Sequence, residues 1–213
     1  MMLQIDHRES HDVDIFLPDA QLHAFLDPKL HDFEFEIRPS DYVCDGTGFI
    51  KLAFAGVGEI DFIVGHALTA TPTAKRLIDG EDVDLETISE IITKKIHYRG
   101  ASIKPRDIFD IAAAAKHDRD PIVSALRAYK GDVARTLLAI EHLNPDFVGA
   151  TIATPAIKDQ FKPIADTAVL AQNCIPNVFL VGALPKPSPP PRTRPDLAHV
   201  LGPDPPITLR PLG

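Results

Sequence analysis

The chain contains no tryptophan, only two cysteines, and no glycine before Gly46. Cys44 and Cys174 cannot make a disulfide scaffold, and each reads as a small buried apolar residue rather than a ligand. No apolar run approaches the roughly 20 residues of a membrane-crossing helix. Met1 to Ser10 carries charges where a secretory leader is apolar. The simplest compartment is a reducing cytoplasm. Positive charge is in deficit: 22 Lys and Arg against 30 Asp and Glu leave a net charge of −8. That excludes a broad, non-specific nucleic-acid surface. Hydrophobic residues still make up 45% of 213 residues, too many for wholesale disorder and enough for a folded core.

Proline is in excess, and its placement divides the chain. Of 20 prolines, ten fall between Pro185 and Pro211. Each removes an amide donor, so residues 184–213 cannot form a helix or a central strand. They read as a disordered or polyproline-type tail, either dispensable or partner-binding. Residues 1–80 read as a small α+β lobe and residues 81–183 as a helical lobe.

In the first lobe, Asp12 to Leu17 alternates polar and apolar residues, then Pro18 stops it, which predicts a strand. Ala20 to Leu30 suits a short helix. Phe33–Arg38, Phe49–Ala55 and Glu59–Val64 are further strand candidates, with turns at Asp45–Gly48 and Gly56–Gly58. From Asp84 onward the pattern turns helical, with Asp84 or Thr87 as a cap and Thr87–Glu90 as a capping box. That helix runs to about Arg99, with Ile88, Ile91, Ile92 and Ile96 on one face and Gly100 at its end. Pro105 opens a helix to His117. Others are predicted over Pro121–Tyr129, Asp132–Leu143, Pro145–Ile152 and Pro163–Asn173.

The chemistry starts at Asp12-Val13-Asp14. Residues i and i+2 of a strand share a face, and two adjacent carboxylates repel unless a cation lies between them. Mg²⁺ takes few carboxylates plus substrate phosphates, so this pair is a natural metal platform. Asp61, in an otherwise apolar strand, completes a three-carboxylate site if the two strands are neighbours. A solvated strand edge also produces Asp-x-Asp. A second cluster, Lys94, Lys95, Arg99, Lys104 and Arg106, puts five cations in 13 residues. Lys95 and Arg99 share a helical face. The cluster is either a solvated basic face or a triphosphate site. Asp107 falls in the first turn of its helix, where the dipole favours a carboxylate; Asp110, one turn on, either shares its face or is a solvated neighbour. Nine scattered histidines lack cysteines at zinc spacing, and no Gly-x-Ser-x-Gly, Walker loop or dinucleotide fingerprint occurs.

The order of these motifs resembles a known family. His7-Arg-Glu-Ser-His-Asp-Val-Asp-Ile-Phe16 resembles the R-x-S-x-D-x-D strand of the AbiEii/AbiGii-type nucleotidyltransferase toxins, of the minimal DNA polymerase β-like superfamily. Glu90 to Ile96 followed by Lys104-Pro-Arg-Asp-Ile-Phe-Asp110 is similar to that family's E-x-x-x-x-K-L and K-P-R-D-x-Y-D-L segment. The resemblance covers residues 5 to 115. It implies a nucleotidyltransferase-like sheet lobe and transfer of a nucleoside monophosphate from an NTP to an acceptor hydroxyl, on RNA such as tRNA. It implies that Asp12 and Asp14 hold Mg²⁺ and the triphosphate, with Asp61 as third carboxylate. Lys95 would meet the nucleotide phosphates, Asp107 would stand at the active site, and Ser10, Arg99 and Arg106 would support nucleotide binding. The partner implied is a separately encoded antitoxin.

The family also places a Gly-Ser or Gly-Gly-Thr element about ten residues before the first metal aspartate, where it grips the triphosphate. Counting back from Asp12 reaches Met1-Met2-Leu3-Gln4. The expectation is a start lying upstream or a shortened relative. The alternative function is accordingly a truncated, non-catalytic relative that binds nucleotide or an antitoxin.

Overall fold

The computed structural model describes residues 1–152 and 156–166. The described residues belong to one unit, Met1–Gly182; the expected Pro-rich tail lies outside them. A short helix, α1 (Met2–Ile5), precedes strand β1 (Val13–Leu17). Then come a 3₁₀ turn at Ala20–Leu22 and the single-turn helix α2 (His23–Leu26). The helix expected to reach Leu30 stops early, because Pro28 drives Asp27 into an extended conformation, ψ 113°.

Strands β2 (Asp41–Cys44), β3 (Phe49–Phe54) and β4 (Gly58–Val64) complete a four-stranded mixed sheet in the order β1-β4-β3-β2. β1 and β4 are parallel, while β4, β3 and β2 form an antiparallel meander. The strand expected over Phe33–Arg38 does not form. Its alternation only brings Phe33 and Phe35 together, rings 6.0 Å apart, and β2 takes the edge beside β3. The turn before β4 fixes the register with β1. Gly58 has φ +152°, and a Cβ there would stand 2.0 Å from the His11 carbonyl oxygen, so only glycine permits this approach.

A separate hairpin of β5 (Thr73–Ile78) and β6 (Glu81–Glu86) extends strand structure past residue 80. Its Asp79-Gly80 turn has positive φ at both residues, 50° and 91°, the pattern of the tight turns that match strand twist. Asp84 therefore lies in a strand, and Thr87 caps α3 (Ile88–Arg99), its Oγ1 accepting from the Glu90 amide at 3.3 Å. The expected capping box is half-made, since the Glu90 carboxylate accepts from the Leu68 and Thr69 amides and the Thr69 hydroxyl instead.

The helices follow closely on expectation: α4 (Pro105–His117), α5 (Arg119–Leu126), α6 (Lys130–Glu141), α7 (Pro145–Ile152) and α8 (Lys162–Asp166). Of the helix expected to Asn173, the part beyond Asp166 lies outside the described residues. The fold is α+β, and most of its core is helical. Ile92, Ile96, Ile108, Phe109, Ile111, Ile122 and Ile140 are fully buried, whereas the four-stranded sheet buries only Leu17, Ile50 and Leu52. Among the described residues no helix is long and apolar enough to cross a membrane.

Candidate active site

The strand pairing brings the expected carboxylates together. Asp14 stands opposite Asp61 in the β1–β4 ladder, and Asp61 stands opposite Lys51 in the β4–β3 ladder. Directly opposed residues point to the same face of a sheet, so Lys51, Asp61 and Asp14 form one cross-strand row. Asp12 stands just ahead of β1, and both it and Asp14 are exposed. The Lys51 ammonium lies 3.4 Å from Asp61 Oδ2 and also pairs with Glu59. Asp61 Oδ1 is buried and has no hydrogen-bond partner among the described residues. Burial raises the Asp61 carboxyl above its ordinary range and Asp14 adds to the rise, against the pull of Lys51.

These donors bear on a divalent ion. Among the described residues no three His, Cys, Asp or Glu side chains are grouped so as to cage a metal unaided. Mg²⁺, however, is usually held by one or two carboxylates while keeping waters and substrate phosphates as its other ligands. An exposed Asp14 beside an unsatisfied Asp61 oxygen fits an ion arriving with a triphosphate better than a resident one.

The second half of the site lies on the helices. Lys95, on α3, reaches Asp107 Oδ1 at 2.6 Å and Asp110 Oδ2 at 3.0 Å, both on α4. Asp107 also closes the start of α4, its Oδ2 accepting from the Lys104 amide at 3.2 Å. Asp110, far from being a solvated neighbour, is 2% exposed and joins three elements. Besides Lys95 it accepts from His7 Nε2 at 2.8 Å, Arg8 Nε at 2.9 Å and Arg8 Nη2 at 3.2 Å. Burial alone would raise its carboxyl; the His7 hydrogen bond and the Lys95 and Arg8 charges hold it far below the ordinary range instead. Burial likewise works against the Lys95 ammonium, but Asp110 and Asp107 prevail and lift its pKa.

The His7 ring is buried between Phe109 and Phe161, centroids 5.8 and 6.2 Å away. Residues 7–9 are also fastened to the 156–158 segment, through Glu9 N to Ala156 O and Lys158 N to His7 O. The remaining expected residues are dispersed. Arg99 is 52% exposed with Nη1 3.9 Å from Asp107, Arg106 is exposed on the first turn of α4, and Ser10 is half-buried ahead of β1. Lys94 is not a phosphate ligand in waiting: it pairs with Glu86 and lies 3.5 Å over the Phe16 ring.

The two halves share one electrostatic field. The Met1 amino group feels Asp110, Lys95, Asp14 and Arg8 together, and Arg8 feels Asp110, Asp107 and Asp12. Carboxylates able to hold a cation thus lie within electrostatic reach of a lysine and an arginine able to meet phosphate, an arrangement suited to phosphoryl chemistry.

No curated protein and no solved structure matches the chain. One family does, described as nucleotidyl transferase AbiEii toxin, Type IV TA system, and it matches residues 1–173. With the strand aspartates, Lys95 and the Arg106-Asp107 pair lying inside that span, the chain belongs to the AbiEii nucleotidyltransferase toxin family.

Proposed function

We propose that the chain transfers a nucleoside monophosphate from an NTP to an acceptor hydroxyl on RNA, such as the end of a tRNA, with Mg²⁺, and that this transfer is its toxic activity. The observation that carries the reading is the opposition of Asp14 and Asp61 across β1 and β4, with Asp12 just ahead and one Asp61 oxygen unsatisfied. Asp12 and Asp14 would hold the metal, with Asp61 as the third carboxylate. Mg²⁺ bound there supplies charge at the attacking hydroxyl and at the leaving pyrophosphate. Lys95 neutralises charge on the transferring phosphate, and Asp107 aims that ammonium from 2.6 Å. Arg99 and Arg106, both exposed, supply charge at the rim where triphosphate and RNA approach. A separately encoded antitoxin opposes the activity in the cell.

The test incubates the chain with Mg²⁺, total tRNA and each α-labelled NTP in turn, beside an Asp12→Ala/Asp14→Ala control. Label entering RNA only with intact aspartates supports the assignment and names the nucleotide. A folded chain that transfers no label from any NTP overturns it and leaves the non-catalytic, nucleotide-binding relative as the better reading.

A further inference from the structure

Asp110 is a carboxylate whose placement stability alone does not explain. Burying an ion pair costs about as much as its attraction returns, so such a group is weak evidence of stabilisation. What the contacts do provide is geometry. Arg8 meets Asp110 as a planar fork, Nε on Oδ1 at 2.9 Å and Nη2 on Oδ2 at 3.2 Å, which sets both distance and angle. Lys95 comes to the same Oδ2 at 3.0 Å. Two cations that would otherwise repel are held on one oxygen. His7 steadies the carboxylate from the other side, clamped between its two phenylalanines. Arg8 stands four residues ahead of Asp12, so fixing it against α4 also tethers the segment that leads into β1.

We propose that Asp110 is a positioning residue, holding Arg8 and Lys95 side by side as a paired phosphate-binding cation. The proposal rests on the nucleotidyltransferase reading and adds Arg8 to the groups that meet the triphosphate. Arg8 is suited to this: its side chain is 15% exposed, and its fork on Asp110 with its Nη1 bond to the Glu9 carbonyl oxygen uses three of its five N–H groups.

Two physical accounts of Asp110 give opposite signs, which makes the proposal testable. A carboxylate that merely neutralised the cations would, once neutral itself, leave them freer, and a triphosphate would bind more tightly. A carboxylate that positions them would release Arg8 and Lys95 from each other, and the triphosphate would bind more weakly.

The experiment titrates the full chain and its Asp110→Asn variant with each of the four NTPs and Mg²⁺ by calorimetry, with Tm measured alongside. The expected result is a loss of NTP affinity of about 10- to 100-fold, the usual scale for removing a group that orients a ligand-binding residue. Asp132→Asn is the control. It breaks another partly buried set, in which Asp132 accepts from His97 on α3 and from Arg135, and it should lower Tm while leaving NTP affinity unchanged. Unchanged or tighter binding by Asp110→Asn overturns the proposal while the function stands. A wild-type chain that binds none of the NTPs overturns the nucleotide reading and the proposal with it. If Asp110→Asn does not fold, Arg8→Lys decides, since it keeps the charge but cannot form the fork. The same weakening is expected there, and wild-type affinity overturns the proposal.

Discussion

The two halves of the site solve the problem of placing charge in opposite ways. On the sheet, the row Lys51–Asp61–Asp14 runs from half-buried to exposed, with an exposed Asp14 and a buried Asp61 oxygen that no group among the described residues satisfies. On the helices, Asp110 is enclosed and both its oxygens are taken by His7, Arg8 and Lys95. Buried polar groups are normally paired, so the Asp61 oxygen keeps capacity for a water or a ligand, whereas both Asp110 oxygens are already engaged. The core follows the same division, being thick beneath the helices and thin beneath the sheet. The half that keeps geometry stands on the thick core; the half that binds stands on the thin one.

The sharpest way to break this contrast is to damage each half and read both activity and stability. Asp14→Asn, at an exposed strand position, should lower nucleotide transfer at least about a hundredfold while moving stability by no more than about 0.5 kcal/mol, as surface changes do. Transfer assays and urea denaturation on one preparation check both. Retained transfer would remove Asp14 from the metal platform. Phe109→Ala should do the reverse first: the ring is 1% exposed and stacks on His7, and its loss should cost about 3–5 kcal/mol. A Phe109→Ala chain as stable as wild type would show that the helical half is not the rigid one.

How much of this was legible depended on whether the signal was local. Asp14 in β1 with Asp12 just ahead of it, and the Pro105 helix start, follow from spacing and backbone preference, so a single strand or helix reveals them. The pairing of Asp14 with Asp61 needed only the further assumption that β1 and β4 are neighbours, which Gly58 makes sterically feasible. The β5–β6 hairpin carried its own signal in Asp79-Gly80 and was missed because acidic residues at 81–86 resemble the first turn of a helix. The Asp110 hub was not legible. His7, Arg8, Lys95 and Asp110 come from three separated stretches, and a carboxylate near a helix start looks the same whether solvated or buried. Lys51 was hidden for the same reason, since its role exists only across the β3–β4 ladder.

A smaller effect tests whether Asp110 is as closed as its bonds imply. Its folded pKa lies below the unfolded value of about 3.9, so its ionised form adds stability that is fully present above that pH. That stability is lost as pH falls from about 4 toward the folded value. The difference in unfolding free energy between wild type and Asp110→Asn should therefore hold steady from pH 7 to 5 and shrink below pH 4. Comparing the pair cancels the other carboxylates. A difference that stays constant down to pH 3 would mean that Asp110 is no better held in the folded chain than in the unfolded one.

The smallest effect probes the open half. Lys51 is the cation paired with Asp61, and it is 32% exposed, so its pairing should be worth no more than about 1 kcal/mol of stability. Its charge should matter more to an incoming divalent ion than to the fold. At contact distance in water a unit charge on a divalent ion is worth about 2 kcal/mol, or about thirtyfold in affinity. Lys51→Met should thus leave stability nearly unchanged yet tighten Mn²⁺ binding by up to about thirtyfold, read by the loss of the free-ion paramagnetic signal on titration. The sign matters more than the size. Tighter binding means that Lys51 and the metal compete for one Asp61 oxygen, and so that the sheet row is a site held open. Weaker binding means that Lys51 holds Asp61 in position for the ion, and both halves would then work by preorganisation.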